Sequence, residues 1–425
     1  MSEHCTLVGI LDDGWAGLSD AARQRLTTAG LVIGAGRTLT LLERHLPGTA
    51  SVRPMDGALG KVPDWIAQAH ADGLRTVVLA TGDPLCHGMA SFLVRKLGAA
   101  AVAVLPAPST LQLLFARLKK PWQDVMIGSV HSKDAGEWIE GATPDHGLYR
   151  LVRQVVEHPR VAAFTGPENT PDRIARALLT AGFEDARISV ASRLCMPDEA
   201  VFDALPLAEA AAMCFDAPNV VLIERDSNAG RAVFGFDDLD YVQRSPEKGL
   251  ITKLEARAVS LAKLGLRADS VVWDIGAGSG SVGLEASRIA RHGHVWAIEK
   301  NEADAANARE NARRIGASNY TLVQARAPEQ LDTWPDPDAV FIGGSGGELA
   351  GLIAQILDRL KPGGRLVMNF VTIENLATAT AALAAAGARW DVTQLSAARS
   401  QPILDMHRLA AQNPVWIVTA HKESA

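Results

Sequence analysis

Four cysteines in 425 residues, Cys5, Cys86, Cys195 and Cys214, stand scattered with no CxxC pair among them. That spacing suggests neither a zinc site nor a disulfide framework, and reduced, mostly buried thiols with no metal centre are the expectation. Long apolar runs are also missing: the longest uncharged stretches are Ala-rich, such as 377–388, and too short to cross a bilayer. The opening residues, MSEHCTLVGI, lack the basic stretch and apolar core of a secretory signal. A soluble, cytoplasmic protein with no membrane partner is therefore expected. A basic surplus is absent as well, and a net charge of −6 with a pI near 6.0 argues against a nucleic-acid partner, because phosphate binding relies on clustered Lys and Arg. Small anionic substrates stay open, since a few local arginines suffice to hold them.

What is present is ordinary globular composition, 48% hydrophobic and 21% charged, at a length suited to two or three domains. Apolar runs bounded by turn residues alternate with helix-period segments throughout, the pattern of α/β domains with largely parallel sheets. In the first half the expected strands are Thr6 to Ile10, Leu31 to Ile33, Thr76 to Leu79, Ala101 to Leu105, Val161 to Phe164 and Val220 to Glu224. Helices are expected over Ser91 to Leu97 and Pro171 to Ala181, the second started by Thr170 as cap and Pro171 in the first turn. From Asp226 to Gly249 the text "DSNAGRAVFGFDDLDYVQRSPEKG" is polar and turn-rich, with no periodic apolar face. A linker over 231–248 is expected here, between domains 1–230 and 249–425. Beyond it a helix (Lys253 to Lys263) leads into a strand, a glycine loop and a doubly wound, Rossmann-like succession, in which ligands bind at the carboxyl ends of the strands.

That glycine loop lies in "VVWDIGAGSGS", residues 271–281. Gly278, Gly280 and Gly283 satisfy G-x-G-x-x-G and Glu299 follows about twenty residues later, so the spacing alone admits a dinucleotide. Asp274 argues otherwise, because a carboxylate at the strand end repels a pyrophosphate. S-adenosylmethionine has an ammonium and a sulfonium there instead. With Asp274 near that positive end, Gly276, Ala277, Gly278, Ser279 and Gly280 letting backbone approach closely, and Glu299 binding both ribose hydroxyls, each residue has a task. In "QARAPEQL" the small Ala327 ends the third-strand region, where an adenine ring is admitted. "NPVW" from Asn413 resembles the Asn-Pro-Pro-Tyr loop of amino-group methyltransferases, but it stands in a last strand, and Asn413 is read as structural.

The first half offers "VVLATGDPLCHGMASFLVRKL", in which Gly82, Asp83 and Pro84 form a stiff turn between strand and helix. One strand later, in "PAPSTLQLLFARL", Pro106 and Pro108 place Ser109 and Thr110 at a helix start, expected to offer free amides and hydroxyls. This pairing resembles the tetrapyrrole (precorrin) methylase family, whose two α/β lobes hold S-adenosylmethionine in the cleft between them. "LVGILDDGWAGLSDAARQRL" and "FTGPENTPDRIARALL" are similar to its branch acting on precorrin-6Y, over nearly all of residues 5–225. One departure is that Gly9-Ile10-Leu11-Asp12-Asp13-Gly14 stands where that family often has Gly-x-Gly-x-Gly, so no cofactor contact is assigned there. The second half resembles the companion decarboxylating precorrin methyltransferases in "GLITKLEARAVSLAKLGL", "DIGAGSGSVGLEASR", "RAPEQL", "DAVFIGGSGGEL" and "LKPGGRLVMNFVTIENL".

The resemblance implies a two-lobed tetrapyrrole methylase fold followed by a Rossmann-like class I methyltransferase domain, with two S-adenosylmethionine sites, one per domain. It assigns Thr252, the Gly276 to Gly280 loop, Glu299 and Ala327 to one site, and Ser109, Thr110 and the Gly82-Asp83 turn to the other. The implied reaction adds methyls to two meso carbons (5 and 15) of precorrin-6Y and removes carbon dioxide from the ring C acetate, giving precorrin-8 in cobalamin biosynthesis. An even-numbered homo-oligomer through the second domain is also implied. No catalytic His/Asp or Ser/His constellation is found; His131 and His407 read as packing or solvated residues. Arg257, Arg399 and Arg408 are candidates for substrate carboxylates. Gly343, Gly344, Ser345 and Gly346, at a strand's carboxyl end, are the expected surface for the macrocycle. The competing reading, an RNA or protein methyltransferase with the first half as recognition module, requires a basic face.

Overall fold

In a computed structural model, which describes residues 3–86, 88–132, 134–226, 232–244, 251–345 and 347–423, the apolar runs of the first half become two sheets. The first contains β1 (Cys5–Ile10), β2 (Leu31–Gly34), β3 (Ser51–Pro54), β4 (Thr76–Thr81) and β5 (Val102–Leu105), in the order β3-β2-β4-β1-β5 and parallel throughout. Every residue of β1 and β2 is buried, which is why they read as unbroken apolar runs. The second contains β6 (Met126–Ser129), β7 (Arg160–Phe164), β8 (Arg187–Ser192), β9 (Ala200–Pro206) and β10 (Asn219–Glu224), in the order β6-β7-β10-β8-β9. Here β6 and β7 pair parallel and the other three pairings are antiparallel, a correction to the expected largely parallel pattern. Antiparallel neighbours need no helical crossover, and apolar periodicity carries no sign of strand direction.

The second half supplies β11 (Val271–Ile275), β12 (His294–Glu299), β13 (Tyr320–Gln324), β14 (Ala339–Ile342), β15 (Arg365–Phe370), β16 (Arg389–Leu395), β17 (Ala398–Ile403), β18 (Met406–Ala411) and β19 (Val415–His421). Seven of these form one sheet, β13-β12-β11-β14-β15-β19-β16, with β13 to β15 parallel across β11 and β19 antiparallel to both neighbours. β17 and β18 make a separate hairpin. Strand order reverses between β11 and β14, so the carboxyl ends of that pair form the switch point at which open α/β sheets bind ligands. β11 alternates across the sheet: Trp273 and Ile275 enter one core, Val272 the other. Asn413 and Pro414 precede β19 and are exposed, so they lie ahead of the last strand instead of in it.

Contacts divide the chain into two compact units, Met1–Asp134 with Glu157–Leu179 and Glu184–Asp226, and Ala135–Val156 with Thr180–Phe183 and Ser227–Ala425. This departs from a single boundary near residue 230, because the second unit takes in 135–156. A buried chain of hydrogen bonds holds that stretch. Thr321 Oγ1 donates to the Gly141 carbonyl (2.7 Å), so it accepts from His294 Nε2 (2.8 Å), and His294 Nδ1 accepts from the Tyr149 hydroxyl (2.8 Å). Burial, with Arg153 adding to it, holds His294 down to about 3, and burial pushes the Tyr149 phenol up to about 12, so both are neutral.

Of the expected linker, 231 and 245–248 lie outside the described residues, while 232–244 is docked and not a loose tether. Arg257, fully buried, donates to Glu285 Oε1 (2.5 Å), Asp238 Oδ1 (3.2 Å) and the carbonyls of Thr252 and Phe236. Tyr241 is also buried and donates to Glu285 Oε1 (3.0 Å). Arg257 is thus no candidate for a substrate carboxylate. Replacing Arg257 by Met leaves the buried Glu285 without a cation while Asp238 keeps Arg399, and urea unfolding of the full chain is expected to show a loss of about 3–5 kcal/mol.

Candidate functional site

The chain passes from β11 to the helix Ser281–Ile289 through Gly276 to Gly280, with positive φ at Gly276, Gly278 and Gly280 (69°, 57° and 79°). A Cβ on Gly276 would strike the backbone of Gly344, whose Cα would lie 2.9 Å away, so the ends of β11 and β14 meet backbone to backbone. Four of the loop's five amides, and that of Gly283 in the following helix, are bonded inside the fold. Gly276 and Ala277 donate to the Ile298 carbonyl (2.9 and 3.1 Å), Gly280 to that of Ala277 (2.8 Å), Gly278 to Glu299 Oε2 (2.9 Å) and Gly283 to Asp274 Oδ2 (3.0 Å). A pyrophosphate site needs such donors free.

Glu299 ends β12 with 7% exposure, its second oxygen accepting from the Asn301 amide (2.8 Å). A carboxylate has about four acceptor positions, so lone pairs remain for a ligand's hydroxyls. Asp274 sits deeper, 1% exposed, on the Val272 side of β11 and beneath the loop, with Oδ1 unpartnered. Burial raises its carboxyl to about 7; the Glu299 charge adds to that and the Gly283 amide opposes it. The expected direct position beside a ligand's positive end is therefore corrected: Asp274 supports the loop from below.

A cavity of about 300 Å³ opens above the loop. Of the expected residues, Gly276, Gly278, Ser279, Glu299 and Ala327 line it, together with Gly343, Gly344 and Ser345 from the end of β14. Gly346 lies outside the described residues. Thr252, Ala277 and Gly280 are not on its wall: the Thr252 carbonyl accepts from Arg257, Ala277 packs on the core, and Gly280 is the left-handed N-cap of the following helix. Ile251 and Ile298 give the wall apolar surface, and the Ser279 hydroxyl is buried without a partner. Gln243 and Arg244 also line it, and they belong to the segment whose polar composition suggested a linker. No periodic signal marked them. Asn311 delivers them, pairing with Val242 N–H and C=O (2.7 and 2.9 Å) and with the Ser279 carbonyl (2.9 Å), while Arg244 is bidentate to Asp304 (2.8 and 2.6 Å). Ile251, Ile298 and Ala327 on the wall, a Glu299 carboxylate with lone pairs to spare and four loop amides already bonded suit an adenosyl sulfonium better than a dinucleotide.

In the first unit the structure brings Gly82 (φ 66°) against Ser109, whose Cα would lie 3.2 Å from a Cβ on Gly82. The expected free amide at Ser109 is corrected, however. Ser109 is 6% exposed and closed in a capping box, accepting from the Gln112 amide (3.2 Å) and donating its own amide to Gln112 Oε1 (2.7 Å). Thr110 opens that helix half-buried, and Asp83 accepts from the Leu85 amide (2.9 Å) within its own turn. His131, His407 and Arg408 are exposed. Arg399 is engaged by Glu255 (2.8 and 2.7 Å) and Asp238 (2.8 Å), which corrects its candidacy for substrate.

Two family models match the chain in succession. Residues 4–211 match the family model described as tetrapyrrole (corrin/porphyrin) methylases, and 246–422 the precorrin methyltransferase domain. A precorrin-6Y C(5,15)-methyltransferase [decarboxylating] from Sinorhizobium sp is 33% identical over 382 residues, 88% of this chain and 86% of that one. A cobalt-precorrin-6B C(15)-methyltransferase (decarboxylating) from Salmonella typhimurium is 41% identical over 41% of this chain and 90% of its own. A crystal structure of a precorrin-6Y C5,15-methyltransferase from Geobacter metallireducens, 43% identical, covers 45% of this chain and 100% of that one at a TM-score of 0.43.

Asp274 carries a pH signature. Its carboxyl titrates near 7 in the native state and near 3.8 in the unfolded chain, so the native state holds the extra proton between those values. Stability contributed here falls as pH rises from about 4 to about 7, and the cost at pH 8 is on the order of 4 kcal/mol. Asp274→Asn removes that slope: in thermal unfolding its Tm relative to wild type is expected to be higher at pH 8 than at pH 5.

Proposed function

The chain belongs to the precorrin-6Y C(5,15)-methyltransferase (decarboxylating) family of cobalamin biosynthesis, and on that premise we propose that it works through two S-adenosylmethionine sites, one in each unit. The reaction we assign to it adds methyls at carbons 5 and 15 of precorrin-6Y and removes carbon dioxide from the ring C acetate, giving precorrin-8. When bound, the cofactor supplies an electrophilic methyl group on sulfonium. The observation carrying the second site is the single cavity that unites the Gly276 to Gly280 loop, Glu299 and Ala327 with Gly343 to Ser345. Glu299 offers its remaining lone pairs to ribose hydroxyls, Ile251, Ile298 and Ala327 exclude water, and the open strand end at Gly344 admits the acceptor.

In the first unit Gly82, Asp83, Ser109 and Thr110 supply the surface of the other site, the Ser109 hydroxyl keeping its proton to donate after accepting from the Gln112 amide. The acceptor carbons of a reduced tetrapyrrole are enamine-like, so the protein's task is to align carbon, methyl and sulfur and keep water out. Decarboxylation leaves its electron pair in the conjugated macrocycle, which serves as electron sink. An RNA- or protein-directed reading is set aside, because similarity along most of the chain is to precorrin enzymes and the net charge is −6. A cytoplasmic location agrees with four free thiols. Among the described residues no helix is long and apolar enough to cross a membrane.

We further assign self-association to the β17–β18 hairpin. Its apolar Ile403, Leu404, Met406 and Leu409 are 43%, 93%, 61% and 75% exposed, and Leu404 holds a left-handed φ of 52° at a tip where Asn or Gly is usual. A two-stranded ribbon is marginal alone, and a second copy of the same ribbon satisfies both its edge and its apolar face. The double variant Leu404→Asp, Leu409→Asp is expected to lower the mass seen by light scattering to a smaller species; an unchanged mass refutes this surface. For the reaction, mass spectrometry after incubation with precorrin-6Y and S-adenosylmethionine is expected to show two methyl gains and loss of carbon dioxide. No mass change would sink the assignment.

A further inference from the structure

Val371 and Ile373 are large apolar side chains left 62% and 69% exposed directly after β15. Leaving this much apolar surface in water forgoes the free energy that burial supplies. Their place in the fold gives that exposure a direction. β14 and β15 run parallel with Ile342 beside Met368, so the chain leaves one strand at Gly343 and the other at Val371, both at the carboxyl end that carries the glycine loop. Gly344 follows Gly343 at that end. Its backbone packs against Gly276, yet a Cβ on Gly344 itself would meet nothing within 4 Å. No packing requirement in the fold keeps that position bare, and its open side faces free space next to the cavity it lines.

We propose that Val371 and Ile373, with the bare face of Gly344, form the bed on which one face of the macrocycle rests during transfer in the second unit. This rests on the precorrin reading given above. A reduced tetrapyrrole is broad, with an apolar face and carboxylates at its rim, and two β-branched aliphatic side chains beside a bare backbone give a shallow bed of matching character. Sheet order then arranges the reactants. Glu299 and Ala327 follow β12 and β13 on one side of β11, the bed follows β14 and β15 on the other, and the Gly276–Gly344 contact joins them. Donor and acceptor sites therefore adjoin at the one point where two strand ends touch, which is what a direct methyl transfer demands.

The test uses the full chain and the double variant Val371→Thr, Ile373→Thr, which keeps branching and removes apolar surface. The expected result is a rise of about tenfold in KM for precorrin-6Y, from the loss of roughly 1–2 kcal/mol of apolar contact, with S-adenosylmethionine affinity by calorimetry unchanged. Val392→Thr, an equally substitutable exposed valine on β16, is expected to leave both values alone. An unchanged KM for precorrin-6Y in the double variant overturns the bed while leaving the enzyme assignment standing. A lowered mass in light scattering with unchanged KM overturns it in favour of a second copy of the chain as occupant. Absence of turnover by the wild type overturns the precorrin reading and this proposal together.

Discussion

The glycine loop is governed by where its N–H groups go. Four of them, from Gly276, Ala277, Gly278 and Gly280, together with that of Gly283 in the next helix, are satisfied by the Ile298 and Ala277 carbonyls and by Glu299 and Asp274. A loop wired in this way presents close backbone and carboxylate oxygen in place of most of the free amides that an anion-binding nest uses. Both acidic groups are part of the wiring before they are part of any site. Asp274 bears the larger burden, since burial leaves its carboxyl titrating near neutrality. A cationic ligand end above the loop favours the ionised form, so occupancy and the charge of this group are linked.

The cavity's outer wall depends on a second constraint, the docking of 232–244. The ion pairs of Arg257 with Glu285 and Asp238 are fully desolvated, and such pairs contribute more to fixing one arrangement than to net stability. Gly235 donates to Glu285 and Leu254 to Asp238 Oδ1 (3.0 Å), so the same two carboxylates hold the incoming segment and the next helix together. Asn311 then joins Val242 to the glycine loop through Ser279. The result is that Gln243 and Arg244 reach a site built mostly from residues far along the chain.

These two constraints explain what the amino-acid sequence reveals unaided. β1, β2 and β11 are legible because burial on both faces makes them continuous apolar runs, and the glycine loop with Glu299 is legible because its spacing is local. β3 is exposed at all four positions and β9 at most of its seven, so neither carries a hydrophobic signal. Ser109 is a different case. The Ser-x-x-Gln spacing of Ser109 and Gln112 is a capping-box signature, readable beforehand as an amide already committed. Arg257 and Arg399 could not be sorted from free arginines, since their partners Asp238 and Glu285, or Asp238 and Glu255, are identified by three-dimensional approach alone.

The two units reach a common device from different topologies. In the second, Gly276 and Gly344 bring the ends of β11 and β14 into backbone contact. In the first, a Cβ on Gly9 would strike the Gly82 carbonyl and the Ala107 amide, so β1, the turn after β4 and the segment after β5 close on one another just as tightly. Each contact sits at the carboxyl ends of neighbouring parallel strands, β1 with β4 and β11 with β14. Removing side chains there draws strand ends together and leaves backbone as the ligand-facing surface, which fits a cofactor that must be held rigidly while its reacting group stays uncovered. The units differ in how they treat charge. The second keeps carboxylates under and beside its loop, whereas Asp83 in the first spends an oxygen on its own turn and Asp12 pairs with Arg37. The two units thus share a steric solution and differ in the charge placed beside it.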